Sequence, residues 1–292
     1  MEYRTLGSTG LEVSVVGVGT WQFGGEWGRA YAQPEVDAVF DAARDCGINI
    51  LDTAECYGDH ASERFCGAAI ERDRDRWVVC TKFGHRYHAP FERTEPRRPE
   101  DVAAQLEASL RALRTDRIDV YQFHSWGDDE FWDDGVLEVL HRAREQGKIR
   151  HVGNSVRVRD YARQVAASRE RGIEVIQAVY NRLDRRAETD AFPVCREQNL
   201  GVLARVPLAS GFLSGKYRPG HAFDKDEVRG RREQEQTDEA LREVERIRRE
   251  EVPPGVDMAR WALAWCLKNP AVTCVIPGCK SPEQVRGNAA AA

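Results

Sequence analysis

The chain has 292 residues, of which 41% are apolar and 31% charged, which suits a large core under a well-solvated surface and excludes wholesale disorder. A formal net charge of −5 argues against a nucleic-acid-binding surface, which carries a basic balance or stripe. The opening MEYRTLGSTGLEVS has no basic segment followed by an apolar one, and no run approaches about 18 consecutive apolar residues, so neither a signal peptide nor a membrane span is expected.

In chain order, Tyr3–Ser14 reads as a small hairpin turning at Gly7 to Gly10, placed to cap one end of the fold. Eight strand candidates succeed it: Val15–Trp21, Ile48–Ala54, Trp77–Phe83, Ile118–His124, Ile149–Ser155, Val175–Asn181, Val202–Leu208 and Val272–Gly278. Several are almost continuously apolar, as in parallel strands covered on both faces. Helical spacing fills the gaps. Val36, Val39, Phe40 and Ala43 fall at i, i+3, i+4 and i+7; Val102, Leu106, Ser109, Leu110 and Leu113 repeat the pattern, as do Val136, Val139, Leu140 and Ala143. Met258, Trp261, Ala262 and Trp265 add a last stripe, read as core packing.

Alternating strands and helices allow an open doubly wound sheet or a closed barrel. Eight repeats in this length favour a (β/α)8 TIM barrel with an N-terminal β-hairpin, one domain over 1–292. Gly84–Pro99 reads as an irregular loop at the catalytic end. Phe223–Glu251, with Arg229, Arg231 and Arg232, reads as a solvated loop and exposed amphipathic helix, with a lid over a bound cofactor as the alternative. Cys46, Cys56, Cys66, Cys80, Cys195, Cys266, Cys274 and Cys279 form no C-x-x-C pair, so reduced thiols in a cytoplasm are expected.

Barrel enzymes carry their chemistry at the C-terminal ends of the strands. Here the second strand ends in Asp52-Thr53-Ala54 with Tyr57 just beyond, the third in Thr81-Lys82 and the fourth in His124. An acid, a phenol, an amine and an imidazole thus converge from three neighbouring strands. Any one of them could be a simple barrel-top salt bridge or core group; all four at matching positions point to chemistry. Asp52 would pair with Lys82, and the ammonium should lower the pKa of Tyr57 toward acid–base work. His124 would orient a substrate oxygen. There is no G-x-S-x-G elbow, and no His/Cys/Asp cluster has the spacing of a metal site, so no metal is expected.

Asp52-Thr53-Ala54-x-x-Tyr57-Gly58, followed by Ser62-Glu63, resembles the aldo-keto reductase signature, and Thr81-Lys82 with His124 is similar to the rest of that family's tetrad. The resemblance runs from Leu6-Gly7 to Asn288 and implies reduction of an aldehyde or ketone by NADPH, with NADH possible, Tyr57 acting as general acid. It also implies an extended dinucleotide site that uses no G-x-G-x-x-G. Gly19, Thr20 and Trp21, with Asp52, would lie beside the nicotinamide; Ser155 and Gln177 would bind its carboxamide, and Arg205 stands where an aromatic ring often stacks. Pro207, Leu208, Ser210, Gly211, Leu213, Gly215 and Lys216 resemble the pyrophosphate loop. Gly278, Lys280, Ser281, Gln284 and Asn288 resemble the adenosine end.

This chain departs from the family pattern at Val156, where many relatives have Asn, at Gln284, which replaces an Arg common in some branches, and at Gly287, which replaces an acid. Many relatives complete the substrate pocket with a C-terminal tail, and this sequence stops soon after Asn288. Trp21, Trp27, Tyr87 and Trp126 are expected to line an aromatic pocket for a small carbonyl substrate. Two other readings remain open: a cofactor-sensing, protein-binding barrel similar to potassium-channel β subunits, and an unrelated phosphate-binding barrel in which Lys82 forms a Schiff base.

Overall fold

The β-branched runs pair side by side, because parallel strands satisfy one another's backbone groups only when helices cover both flanks. The computed structural model describes residues 1–131, 133–157 and 161–292. The barrel strands are β3 (Val18–Gly19), β4 (Ile50–Asp52), β5 (Val78–Phe83), β8 (Ile118–His124), β9 (Ile149–Ser155), β10 (Val175–Val179), β11 (Gly201–Arg205) and β12 (Cys274–Val275). They run in the order β12-β11-β10-β9-β8-β5-β4-β3, every pair parallel. The two edges meet: Gly17 N–H donates to Val275 O, and Gly19 N–H to Pro277 O, both at 2.9 Å. Closure leaves no unpaired edge between the first and last strands.

β8 and β9 match their sequence-read bounds, whereas the first and last strands shrink to two residues each. The chain after Gly19 turns at once into the 3-10 segment Trp21–Gly24, and Pro277 and Gly278 bend the other edge, so apolar runs there continue past the ladder. The expected helices form over Gln33–Asp45, Pro99–Ala112, Asp134–Glu145 and Met258–Leu267, burying most of the stripes that predicted them, with Val139, Trp261 and Trp265 half-buried. Gly84–Pro99 differs from the expected irregular loop. It carries a hairpin, β6 (Arg86–Ala89) with β7 (Glu92–Thr94).

The N-terminal hairpin, β1 (Tyr3–Thr5) with β2 (Glu12–Ser14), plugs the bottom of the barrel as expected. Leu6, Leu11 and Val13 pack against the inward side chains of Ile50, Val78, Cys80, Val120, Val175, Leu203 and Cys274. Gly7, at φ +55°, is held so close that a Cβ there would lie 2.1 Å from the backbone nitrogen of Gly201. Helix Gln234–Glu250 follows the charged stretch as expected and buries Leu241, Val244 and Ile247 beside Phe212 and Leu213. Among the described residues no helix is long and apolar enough to cross a membrane.

Leu6 is fully buried at the centre of the plug. Leu6→Ala is expected to lower stability by roughly 2–5 kcal/mol through the lost burial and the cavity left behind. A urea titration should show a lower midpoint; an unchanged midpoint would mean the hairpin does not seal the barrel.

Candidate active site

Strand periodicity builds the site. Two residues beyond five of the apolar plug positions, on the same inward face, stands a polar residue: Ile50 then Asp52, Cys80 then Lys82, Val120 then Gln122, Val175 then Gln177, Leu203 then Arg205. Parallel register sets Lys82 opposite Gln122 and Gln177 opposite Ser155. A polar layer therefore sits on an apolar one.

Within that layer Lys82, fully buried, donates through Nζ to Asp52 Oδ2 at 2.7 Å and to Thr53 O at 2.7 Å. Its third contact is the Tyr57 hydroxyl at 3.4 Å. Asp52 Oδ1 accepts from Gln177 Nε2 at 2.7 Å and from Gln122 Nε2 at 3.2 Å. Both oxygens of the buried carboxylate thus face donors, as a buried ion pair requires. His124 stands edge-on to Tyr57, ring centroids 6.0 Å apart, and Trp21 stacks over the phenol from the other side at 6.2 Å.

Burial opposes charge throughout. It pulls the Lys82 ammonium down, but Asp52 and Tyr57 together outweigh it and hold the group above its ordinary value. For Tyr57 the balance is the reverse of the expected lowering. Burial raises the phenol, Lys82 pulls it back only in part, and the result is pushed up to about 12. The ammonium does favour the phenolate, but desolvation of that anion is the larger effect. The His124 imidazole is pushed well below its ordinary value by burial and by His85, Lys82, Arg93 and Arg205, so it is neutral.

Tyr57 and His124 open onto a cavity of about 610 Å³ that extends to Gln284 and Asn288 near the C-terminus. That is within the roughly 300–1,000 Å³ of small-molecule sites. Its wall includes Gly19, Thr20, Trp21, Asp52, Ser155, Gln177 and Arg205, then Pro207, Leu208, Ser210, Gly211 and Lys216, and Gly278, Lys280, Gln284 and Asn288. Ser155 Oγ donates to Gln177 Oε1 at 3.4 Å, so the two act as one unit. Four expected residues are not on the wall. Lys82 stands behind Tyr57; Leu213 is buried against Leu241 and Val244; Gly215 turns toward Met258; and the Ser281 hydroxyl caps helix Pro282–Ala289, accepting from Gln284 N–H.

The loop after β11 is strained. Val206, Ala209 and Ser210 all have positive φ, which is unusual for a β-branched valine. The turn they form borders the cavity, where strained backbone commonly serves a ligand. This wall, the cationic end near Lys280 and the buried polar layer together fit an extended dinucleotide.

The expected aromatic pocket is only half present. Trp21 and Trp27 line the cavity, edge to face at 5.3 Å. Trp126 instead sits in the core against Phe83 and Phe123, because Gly84 leaves room for its ring, and Tyr87 lies on the outer β6–β7 hairpin. Several wall residues had no sequence signal. Arg93, from that hairpin, reaches the cavity and pairs with Glu26, itself fully buried and also accepting from Trp21 Nε1. Arg229, from the charged stretch before helix Gln234–Glu250, joins the wall, bound to Glu227 at 2.7 Å and to the Tyr217 hydroxyl. Only the charge run hinted at it.

The fold also gathers Glu55, Cys56 and His124, whose ligand-type atoms lie within 4.8 Å of one another. Sixty-eight residues separate Cys56 from His124, so spacing could not reveal this trio. Positive groups crowd it, Lys82, Arg93 and Arg205 all acting on His124, which disfavours a divalent cation.

The model of the aldo/keto reductase family matches residues 15–292. The chain is 32% identical to the NADH-specific methylglyoxal reductase of Escherichia coli, covering 100% of this chain and 93% of that protein. It is 28% identical to a probable voltage-gated potassium channel subunit beta of Arabidopsis thaliana, covering 99% and 90%. Among solved structures, the holo form of aldo-keto reductase AKR11C1 from Bacillus halodurans superposes with a TM-score of 0.83 at 28% identity, covering 100% and 90%.

Glu55 provides a test of the site's electrostatics. Its Oε2 is buried without a hydrogen-bond partner, and burial pushes the carboxyl from 4.5 up to about 8, against the pull of the His85 backbone N–H. A folded-state value above the unfolded one means the folded protein holds the extra proton. The stability it lends is complete below 4.5 and lost as pH rises through about 8. Glu55→Gln should remove that loss. Urea midpoints at about pH 5 and about pH 9 should favour the variant at the higher pH by a few kcal/mol, at about 1.4 kcal/mol per pH unit. Parallel profiles for both proteins would contradict the burial of an unpartnered carboxyl.

Proposed function

Since the chain belongs to the aldo/keto reductase family, we propose that it reduces an uncharged aldehyde or ketone to an alcohol, with Tyr57 delivering the proton. The observation that carries this reading is a phenol and a neutral imidazole side by side at one end of the cavity, with an ammonium 3.4 Å behind the phenol. A nicotinamide dinucleotide bound along the cavity supplies the hydride, for which no side chain can substitute. Ser155 and Gln177 hold one end, the turn through Ser210 and Gly211 the middle, and Lys280, Gln284 and Asn288 the other.

Tyr57 keeps its proton at neutral pH and gives it up only to the developing alkoxide. Lys82 then stabilises the phenolate left behind, at the moment charge appears. Asp52 keeps Lys82 charged and aimed. His124, neutral, donates to the carbonyl oxygen and fixes its direction. Arg93 reaches the substrate end, but the buried Glu26 carboxylate cancels its charge, which favours neutral carbonyl compounds over 2-oxo acids. Methylglyoxal, named for the Escherichia coli relative, is a neutral substrate of the class this pocket suits.

We assign NADPH as the cofactor. Burial and the neighbouring Arg229 hold the Lys280 ammonium below its ordinary value, the mark of a cation awaiting an anion, and a 2′-phosphate meets that need. NADH is the second reading, favoured by the same relative's name. A protein-binding sensor is a further one, favoured by the channel-subunit relative. We also propose a cytoplasmic setting, which eight cysteines free of disulfides suit.

Tyr57→Phe should lower kcat with methylglyoxal by about 10²-fold or more while leaving NADPH binding unchanged. Wild-type rates in the variant would remove Tyr57 from its role. Negligible turnover by the wild type across a carbonyl panel, with tight NADPH binding, would favour the sensor instead. Lys280→Ala should reduce the ratio of kcat/KM for NADPH over NADH about 10- to 150-fold, the worth of one charge-assisted contact of about 1.5–3 kcal/mol. An unaltered ratio would place the 2′-phosphate elsewhere or exclude it.

A further inference from the structure

Cys56 immediately precedes Tyr57, is fully buried, and has no part in the chemistry above. Its Sγ lies 3.6 Å from His124 Nδ1, and it has no other hydrogen-bond partner among the described residues. We propose that the Cys56 thiol donates its S–H to Nδ1 of His124 and so fixes the imidazole as the tautomer whose proton sits on Nε2. The proposal rests on the reading of His124 as the donor to the substrate oxygen, since only the Nε2–H form, with Nδ1 already engaged, leaves a proton free to point at substrate.

A neutral imidazole has one N–H and one acceptor nitrogen, and the neighbour of one nitrogen decides the state of the other. Two arrangements fit the 3.6 Å contact. In one, sulfur donates to the Nδ1 lone pair. In the other, Nδ1–H donates to sulfur, and the thiol proton is left buried with no acceptor. Imidazole nitrogen is a good acceptor and sulfur a weak one, so the first arrangement makes the stronger bond and gives the thiol proton an acceptor. The thiol also retains the proton it must donate, because burial and the adjacent Glu55 push Cys56 well above its ordinary value. The ring has little freedom to flip. His85 packs against it edge to face at 4.7 Å and Tyr57 at 6.0 Å.

The consequence is a division of labour within one loop. Tyr57 is the acid, and its neighbour Cys56, a positioning residue, sets the proton of the group that aims the substrate at that acid. Sequence order thereby couples the two donors, although His124 comes from another strand.

Nitrogen NMR of the labelled full chain, free of substrate and dinucleotide, reads the tautomer directly, with the His124 signals identified by their loss in His124→Gln. The expected result is an Nε2–H imidazole in the wild type and in Cys56→Ser, whose hydroxyl can donate likewise, and a mixture of tautomers in Cys56→Val. In turnover, Cys56→Val should lower kcat about three- to tenfold with KM unchanged, the value of one neutral hydrogen bond. Cys56→Ser should recover kcat to within about twofold. A wild-type imidazole carrying its proton on Nδ1, or a Cys56→Val protein with a pure Nε2–H signal and full kcat, would overturn the proposal. Because the spectrum needs no turnover, an Nδ1–H wild type refutes this inference, and with it His124 as donor, while leaving Tyr57 as the acid untouched, whereas an inactive wild type with an Nε2–H ring refutes the reductase reading alone.

Discussion

The Asp52–Lys82 ion pair is the constraint around which the rest of the site is arranged. Two opposite charges are withdrawn from water inside the barrel, at a desolvation cost of several kcal/mol per ion, and the arrangement holds only because each charge is fully partnered. Asp52 accepts from Lys82, Gln177 and Gln122, and Lys82 also reaches Thr53 and Tyr57. Removing either member strands the other, so the pair constrains every neighbour that serves it. Among them is Gln177, whose other end is bonded to Ser155. Satisfaction of one buried carboxylate thereby orders both the Lys82–Tyr57 contact and the Ser155–Gln177 wall of the cavity.

That polar layer is tolerable because an apolar layer closes the barrel beneath it. The N-terminal hairpin inserts Leu6, Leu11 and Val13 against the lower inward side chains and keeps water from reaching the ion pair from below. Above it the walls come from loops, held by their own buried pairs. Glu26 ties the first loop, through Trp21, to Arg93 of the β6–β7 hairpin, and Glu227 with Arg229 brings the long segment between β11 and β12 against Trp27. The Trp27 backbone pairs with that of Glu227, so the segment that reads as charged loop in the sequence is in part a wall of the cavity. Arg229 of that segment is buried at the cavity wall, and helix Gln234–Glu250 follows it.

Desolvation decides the protonation states, and it does so against simple charge arguments. A neighbouring ammonium alone would make Tyr57 acidic; buried, the phenol stays above its ordinary value. The useful property is therefore a held proton with a waiting countercharge, not a pre-formed phenolate. His124 follows the same rule in the opposite sense, kept neutral by burial and by the cations around it. A neutral ring has a choice of tautomer that a charged ring lacks, which is why the sulfur of Cys56 acquires importance.

The sequence by itself determined the eight-strand alternation, the plugging hairpin and the strand-end positions of Asp52, Tyr57, Lys82 and His124. Each follows from local periodicity: a two-residue repeat decides which side chains face inward, and a polar residue ending an apolar run marks where the inside meets the site. The tertiary structure alone decided what depends on contacts between distant segments. Strand ends shifted where closure bent the first and last strands. Trp126 went to the core because Gly84 made room for it, and Arg93 and Arg229 reached the cavity from loops whose course no periodicity encodes. The net acidity of Tyr57 and the meeting of Cys56 with His124 belong to the same class. Desolvation and hydrogen-bond partnership are properties of the whole surrounding shell, and that shell exists only once the barrel has closed.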